Sequence, residues 1–211
     1  LILAACRRLV HGDNHLRAGR WDGVRIDEPL AGVSVWGSTI GIVGLGQIGR
    51  AVARRARAFG MQVLYHNRNR QVDAETEFNA TYCPNFSELL ALSDVVSLHC
   101  PLTPATHHLI DRAALSQMKS TAVLINTARG PVVDESALIE CLSRGGIFAA
   151  GLDVYEHEPK VPTELMALGN VVLAPHLGTA TRNARDAMGM RVIANIEAFL
   201  STGSPGDQVT A

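Results

Sequence analysis

The fold follows from the segment Thr39-Ile-Gly-Ile-Val-Gly44-Leu-Gly46-Gln-Ile-Gly49. In it, an aliphatic run passes into a helical pattern through three glycines spaced GxGxxG. In a strand–turn–helix unit, the first such glycine permits the tight turn, the second lets the backbone approach a pyrophosphate, and the third allows close helix–strand packing. We therefore expect Gly44, Gly46 and Gly49 to bind a dinucleotide. A glycine-rich turn without a ligand is the alternative.

Aliphatic runs alternate with amphipathic helical patterns along the rest of the chain. The apolar runs predict strands at residues 38–43, 61–65, 95–98, 122–125, 147–152 and 171–173. Helices are predicted at residues 3–17, 47–59, 86–92, 111–117, 135–144 and 181–200, with N-caps at Asn85 and Asp134 and an unstructured tail from Ser201. Such alternation is typical of the α/β class and predicts a doubly wound parallel sheet with helices on both faces.

The composition excludes several classes of protein. With 47% hydrophobic and 18% charged residues, the 211-residue chain is expected to fold and not to be disordered. Its 19 basic and 20 acidic side chains nearly cancel, and no apolar run approaches the roughly 18 residues of a membrane span. We therefore expect neither nucleic acid nor a membrane as a partner.

Metal and disulfide frameworks are also disfavoured. The four cysteines include no CxxC pair, which favours a reducing compartment, the cytoplasm. His107 and His108 have no acid or cysteine at ligand spacing, so no bound metal is expected.

The end of the second predicted strand is basic. It reads Tyr65-His66-Asn67-Arg68-Asn69-Arg70, roughly 20 residues after the glycines, where NAD-binding turns carry a carboxylate for the adenosine ribose. No carboxylate stands there, and Asn67, Arg68 and Arg70 offer donors that suit a 2′-phosphate. We therefore expect NADP(H) to be favoured, with NAD(H) as the second candidate. An exposed basic turn without a ligand is the alternative.

Polar residues follow four of the later predicted strands. Because the carboxyl ends of parallel strands meet at one edge of the sheet, where ligands of open α/β sheets bind, we expect these residues to lie close together. They occupy residues 99–106, 126–130, 153–159 and 174–179, and include Arg129, Glu158 and His176.

These three side chains match the needs of hydride transfer to a 2-oxo acid. The reaction requires a cation for the substrate carboxylate, an acid for the carbonyl oxygen and a group that tunes this acid. Arg129 can bind a carboxylate through two parallel hydrogen bonds, and His176 titrates near neutral pH. Glu158 would raise the pKa of His176 by favouring the imidazolium form. Taken singly, each residue has an ordinary alternative role. Arg129 could form a surface ion pair, His176 could be a loop histidine with its hydrogen bonds satisfied, and Glu158 could belong to a simple turn.

Five segments, in order along the chain, resemble the signatures of the D-isomer-specific 2-hydroxyacid dehydrogenases. They are Gly44-Leu-Gly-Gln-Ile-Gly49, His99-Cys-Pro-Leu-Thr-Pro-Ala-Thr106, Asn126-Thr-Ala-Arg-Gly130, Gly151-Leu-Asp-Val-Tyr-Glu-His-Glu-Pro159 and Pro175-His-Leu-Gly-Thr-Ala-Thr181. The turn at residues 67–70 is most similar to the glyoxylate and hydroxypyruvate reductase branch. The resemblance implies Arg129, Glu158 and His176 as catalytic residues and Asp153 as a contact to the nicotinamide carboxamide. It also implies a cofactor lined by Gln47, Ile48, Pro101, Thr106, Thr127, Gly178 and Thr179.

The chain departs from this family in its substrate domain. Members of the family carry a flavodoxin-like substrate domain, built mostly from residues before the nucleotide domain, and this chain has almost none of it. We expect residues 1–21 to form a helix crossing into the nucleotide domain, residues 22–180 a Rossmann-type dinucleotide-binding domain, and residues 181–211 a helix and tail returning toward the missing substrate domain. The isolated fragment is expected to be poorly active, and the full-length parent to be a homodimer.

Three functions compete. The leading one is an oxidoreductase, or its cofactor-binding part, that transfers a hydride from NAD(P)H to a small 2-oxo acid such as glyoxylate or hydroxypyruvate. The alternative is a nucleotide-sensing binding module of the same fold, similar to a transcriptional co-repressor; the acid-free turn and the lack of an obvious peptide-docking segment disfavour it. The third function, a methyltransferase with a GxGxxG turn, is disfavoured because it explains neither Arg129-Gly130 nor His176.

Overall fold

The computed structural model describes residues 1–24 and 30–208. Within these ranges the strands are β1 Thr39–Val43, β2 Gln62–His66, β3 Ala80–Tyr82, β4 Val95–Leu98, β5 Val123–Asn126, β6 Ala149–Leu152 and β7 Val171–Leu173. They form one parallel sheet in the order β3-β2-β1-β4-β5-β6-β7. The order reverses between β1 and β4, and ligands of such sheets bind at the carboxyl ends of the strands beside this reversal.

Within the described ranges two helices precede β1, one follows β7, and the others connect successive strands. The helices are α1 Ile2–Cys6, α2 Leu9–Arg17, α3 Gln47–Ala58, α4 Val72–Phe78, α5 Phe86–Leu92, α6 Arg112–Gln117, α7 Glu135–Ser143, α8 Thr163–Met166 and α9 Arg182–Thr202, with a 3₁₀ turn at Gly130–Val132. The predicted N-caps are confirmed: Asn85 accepts a hydrogen bond from Ser87 N, and Asp134 accepts one from Ala137 N. Both side chains satisfy amides that the first helical turn leaves without a partner.

Both faces of the sheet are buried. Successive residues of a strand point to opposite faces, so Leu124 of β5 belongs to one apolar cluster and Ile125 to another. Leu138 of α7 lies in the first cluster and Ala53 of α3 in the second. The continuous apolar runs that predicted the strands are explained by this double burial. The predicted doubly wound α/β sheet is confirmed.

The chain divides into two compact units, each described by itself. The first, Leu1–Pro175, contains the sheet and α1 to α8, and the second begins at His176 and contains α9. No helix of the described ranges is long and apolar enough to cross a membrane. The functional division at residues 1–21, 22–180 and 181–211 stays a prediction.

Both terminal helices differ from their predicted bounds. The predicted helix over residues 3–17 is wrong, because α1 and α2 are separated at Arg8, which has a φ of +50°. The Cys6 carbonyl, which a continuous helix would use internally, instead accepts a hydrogen bond from Val33 N at 2.8 Å. The tail predicted from Ser201 is also wrong at its start, because α9 continues through Thr202 and ends at Gly203, with a φ of +77°.

Three of the helices and strands described here were not predicted from the sequence: α4, β3 and the four-residue α8. α4 has no side-chain cap at its start, and β3 is a three-residue strand at the edge of the sheet. Most residues of α4 are polar and β3 contains no aliphatic run, so neither shows the apolar pattern that predicts the other elements. Both follow the basic turn, so the surroundings of that turn were not predicted.

Candidate active site

The three glycines of the first turn have different surroundings. Gly44 has a φ of +96°, and a Cβ there would lie 2.7 Å from Cys100 N. A Cβ on Gly49 would lie 2.2 Å from Gly44 O, so only glycine lets α3 approach β1 this closely. At Gly46, by contrast, a Cβ would meet no atom within 4 Å. The turn is therefore closed on the protein side and open at its second glycine.

The start of α3 is exposed next to this opening. Gly46 is the N-cap residue and provides no side-chain hydrogen bond, and Gln47 and Ile48 are exposed. The first amides of a helix have no partner within the helix, and its N-terminus carries a partial positive charge. Open space at Gly46 and an uncapped helix end fit the pyrophosphate of a dinucleotide.

The basic turn after β2 contacts the glycine turn directly. Asn67 Oδ1 accepts a hydrogen bond from Leu45 N at 2.6 Å. Tyr82, on β3, donates its hydroxyl hydrogen to Asn67 O at 3.2 Å. Asn67 is therefore fixed between two elements, one of which the sequence did not predict.

The two arginines of the basic turn are not equivalent. Arg70 forms an ion pair with Glu75 on α4, with 2.8 Å between Arg70 Nε and Glu75 Oε1. Arg68 is exposed and forms no hydrogen bond or ion pair with any residue in the described ranges. Of the two guanidinium groups predicted to meet a phosphate, the one on Arg68 is the more available.

The loop after β4 is folded on itself. The Thr106 hydroxyl accepts a hydrogen bond from Thr103 N at 2.8 Å and donates one to Pro101 O at 2.6 Å. Thr106 and Pro101, both predicted to line the cofactor, are thus brought together. The hydroxyl of Thr106 holds the loop in shape.

His99, at the start of this loop, was not singled out from the sequence. Its Nε2 lies 2.9 Å from Ser97 Oγ, and its buried Nδ1 has no hydrogen-bond partner in the described residues. Burial lowers the pKa of His99 to about 4. The ring is therefore neutral near pH 7.

The loop after β5 presents Arg129 to solvent. Asn126 donates from Nδ2 to Arg129 O at 3.0 Å and accepts from Ala128 N at 3.0 Å, which fixes the turn between them. The half-buried Thr127 lies within this turn, and the exposed Arg129 donates from Nη1 to Ala128 O at 2.6 Å. The other guanidinium hydrogens leave Arg129 able to bind an anion.

The loop after β6 lies directly against this turn. A Cβ on Gly130 would lie only 1.8 Å from Tyr155 O, so glycine is required where the two loops meet. The exposed Glu158 accepts a hydrogen bond from Tyr155 N at 3.0 Å, and the buried Asp153 donates its backbone N–H to Asn126 O at 3.0 Å. The structure thus brings together the loops that carry Arg129, Asp153 and Glu158.

A second set of contacts supports the loop after β6. Glu156 Oε1 lies 2.8 Å from His108 Nε2, and Glu156 Oε2 accepts a hydrogen bond from Glu135 N at 3.3 Å. Glu135 Oε1 accepts one in return from Glu156 N at 3.2 Å, and burial raises the pKa of the Glu135 carboxyl. Sequence patterns gave no signal for this contact between the β4 and β6 loops and α7.

Three of the predicted site residues belong to the second unit. His176 is its first residue, is exposed, and has a φ of +53°, in the left-handed region. The exposed Gly178 and Thr179 follow in the loop before α9, where Thr181 N donates to Thr179 O at 2.9 Å. The roles predicted for these three residues remain predictions.

In the part of the chain that the structure describes, no three His, Cys, Asp or Glu side chains are grouped so that they could hold a metal ion. All four cysteines are free and buried.

Comparisons with known proteins identify the family. Residues 1–178 match the family described as D-isomer specific 2-hydroxyacid dehydrogenase, NAD binding domain. The chain belongs to this family. It therefore contains an NAD-binding domain, and the predicted resemblance is confirmed.

Its relatives are longer proteins. The chain is 47% identical to a glyoxylate reductase from Thermococcus litoralis over 99% of its own length and 64% of the relative. It is 50% identical to a glyoxylate reductase from Thermococcus gammatolerans over 94% of its length and 60% of that protein. A crystal structure of an NADPH-dependent glyoxylate/hydroxypyruvate reductase from Sinorhizobium meliloti, in complex with NADP and malonate, has a TM-score of 0.90 and 38% identity, covering 99% of this chain and 64% of that one. The chain thus spans less than two thirds of these relatives.

Proposed function

We propose that the protein reduces a small 2-oxo acid, glyoxylate or hydroxypyruvate, and uses NADPH in preference to NADH. The observation that carries this proposal is the exposed Arg68, which has no hydrogen-bond or ion-pair partner in the described ranges, beside a glycine turn that is open at Gly46. The names of the relatives support the substrate class. Because the chain spans 64% or less of the two Thermococcus relatives, the activity is proposed for the whole protein.

The glycine turn and the basic turn would hold the dinucleotide together. The pyrophosphate would face the start of α3, where Gly46, Gln47 and Ile48 are exposed. Asn67 holds the basic turn against the glycine turn, and Arg68 would meet the 2′-phosphate. The remaining proposed cofactor contacts are Gly44, Gly49, Pro101, Thr106, Thr127, Asp153, Gly178 and Thr179.

The later loops would bind and protonate the substrate. When bound, NADPH supplies the hydride that converts the ketone carbon to an alcohol carbon. Only Nη1 of Arg129 donates to a residue in the described ranges, and its other donors would bind the substrate carboxylate and orient the ketone for reduction. We assign the proton that neutralises the alkoxide to His176, whose left-handed backbone is the kind of outlier that functional sites retain. Glu158 is proposed to tune this proton transfer.

Two properties of the whole protein are proposed with the activity. Four buried free thiols are compatible with a reducing compartment, and we propose the cytoplasm. A homodimer of the full-length parent stays a prediction.

Cofactor titration tests the proposal on the chain itself. NADPH and NADH are titrated separately, with binding followed by nicotinamide fluorescence, in the wild type, Arg68→Ala and the control Arg144→Ala. Arg144 is an exposed arginine at the end of α7, outside the proposed site. We expect tighter binding of NADPH in the wild type and control, and a loss of roughly tenfold to a hundredfold in Arg68→Ala for NADPH alone. Equal binding of the two cofactors by the wild type contradicts the NADPH preference, and binding of neither contradicts the function.

A further inference from the structure

The ion pair between Arg70 and Glu75 has the geometry of a strong one. Arg70 donates from Nε to Glu75 Oε1 and from Nη2 to Glu75 Oε2, each at 2.8 Å. Two parallel hydrogen bonds between a guanidinium and a carboxylate are stronger and more directional than a single contact. Exposed ion pairs generally contribute little to stability, but pairs with this bidentate geometry are among the exceptions.

Glu75 is itself fixed by the core. Tyr65, fully buried in β2, donates its hydroxyl hydrogen to Glu75 Oε1 at 2.6 Å and accepts one from Gln71 N at 2.8 Å. The hydrogen bonds from Arg70 and then from Tyr65 lower the pKa of Glu75 to about 2. The carboxylate is therefore ionised and immobilised at neutral pH, while its partner Arg70 lies on the surface.

This arrangement divides the basic turn into two unlike cations. The guanidinium charge of Arg70 is balanced by Glu75, and its Nε and Nη2 groups are already engaged. Arg68 has no such partner in the described ranges. A 2′-phosphate next to the turn would meet the guanidinium of Arg68 and, close by, the fixed carboxylate of Glu75, which repels it.

We propose that Glu75 is a specificity-determining residue, which holds Arg70 back from the 2′-phosphate and so limits the preference for NADPH. The inference rests on the NADPH preference proposed above and deepens it. Recognition of the phosphate then depends on Arg68, and Arg70 becomes available only when Glu75 loses its charge. Both nicotinamide cofactors share everything except this phosphate, so Glu75 affects the binding of one and not the other.

Glu75→Gln tests the inference, because the amide oxygen still accepts the hydrogen bond from Tyr65 while the charge is lost. Glu77→Gln is the matched control: it removes the same charge from the same helix, where Glu77 pairs with Arg54 at 2.7 Å. Fluorescence titration of the 211-residue chain gives the dissociation constants for NADPH and NADH. We expect NADPH to bind roughly tenfold more tightly to Glu75→Gln, with NADH unchanged and with little effect of Glu77→Gln.

The double variant Glu75→Gln/Arg70→Met shows whether Arg70 carries the gain. We expect the gain in NADPH affinity to be lost in the double variant, apart from a small effect like that of Glu77→Gln. An increase that survives without Arg70, or equal increases in Glu75→Gln and Glu77→Gln, overturns the inference because general charge then explains it. Unchanged or weaker NADPH binding by a folded Glu75→Gln also overturns it.

Single arginine variants keep the inference testable if Glu75→Gln does not fold. Arg68→Met is expected to lose far more NADPH affinity than Arg70→Met, and equal losses overturn the role of Glu75. A wild type that binds both cofactors equally contradicts the proposed function instead. A wild type with the NADPH preference but with equal losses in the two arginine variants leaves that function standing and removes only the inference.

Discussion

Asn67 Oδ1 and Leu45 N form a 2.6 Å hydrogen bond that joins the turn after β2 to the glycine turn after β1. Asn67 lies in the turn where NAD-binding proteins carry a carboxylate, and its side chain is therefore already hydrogen-bonded within the protein. An aspartate could accept the same hydrogen bond from Leu45, so the geometry of the turn can survive a change of charge at this position.

Asn67→Asp is expected to reverse the cofactor preference. The new carboxylate would repel a 2′-phosphate and suit the ribose hydroxyls of NAD, as acidic residues at this position do in related folds. We expect NADPH affinity to fall by roughly tenfold or more and NADH affinity to be kept. Asn69→Asp, which adds the same charge to the exposed neighbouring position, is the control in the titration. Equal losses of NADPH affinity in both variants would show that the change in net charge, and not the position of Asn67, explains the effect.

Gly46→Ala is expected to separate ligand binding from stability. An alanine Cβ at this position meets no protein atom within 4 Å, so the melting temperature should stay close to that of the wild type. Dinucleotide binding should weaken by roughly tenfold to a hundredfold, because the Cβ stands where the pyrophosphate approaches the amides of α3. Calorimetry and fluorescence titration measure the two effects.

Gly49→Ala is the contrasting variant for the same turn. Its Cβ would lie 2.2 Å from Gly44 O, so α3 must move away from β1. We expect the free energy of unfolding to fall by about 1–3 kcal/mol, as for other overpacked sites. A wild-type melting temperature for Gly49→Ala, or normal dinucleotide affinity for Gly46→Ala, would contradict the assigned roles of these glycines.

His99 predicts a dependence of stability on pH. Burial lowers its pKa to about 4, whereas an unfolded histidine titrates near about 6.5. The unfolded state therefore binds more protons between these values, and the contribution of His99 to stability, complete above about pH 6.5, is lost as the pH falls toward 4. The loss is about 3 kcal/mol at most.

Denaturant unfolding at several pH values measures this contribution. His99→Gln should show a smaller decrease in stability between about pH 6.5 and 4.5, whereas the control His107→Gln, at an exposed position, should keep the decrease. The pKa of Glu75 is about 2, so its contribution to the pH dependence of stability falls mainly below this pH range. Identical pH profiles for the wild type and His99→Gln would show that the ring is not a buried neutral group.

Catalytic variants test the later loops in the active whole protein. His176→Ala should lower the rate of 2-oxo acid reduction by roughly 10²–10⁴, because the proton donor is lost. Reduction needs the protonated imidazole, so the wild-type rate should fall as the pH rises, and this limb should be absent in the variant. Arg129→Lys, which cannot form two parallel hydrogen bonds to a carboxylate, should mainly raise KM for the 2-oxo acid. Near-normal turnover of His176→Ala would remove His176 from the mechanism.

Local sequence determined the elements whose causes lie within a few residues. The glycine spacing set the turn between β1 and α3, where the three backbone requirements arise within one turn of chain. Asn85 and Asp134 cap α5 and α7 through amides two or three residues away. The apolar runs predicted six of the strands because burial on both faces of the sheet favours apolar residues along the whole strand.

Tertiary structure decided which of the polar residues are available at the site. Asn67 accepts a hydrogen bond from Leu45 N. Arg70 is paired with Glu75, whose carboxylate also accepts a hydrogen bond from Tyr65 of β2. Gly130 is required by the Tyr155 carbonyl of another loop. Such contacts join segments far apart in the chain or involve elements without an apolar pattern. Tertiary packing determines which residues make these contacts, so local sequence preferences do not predict them.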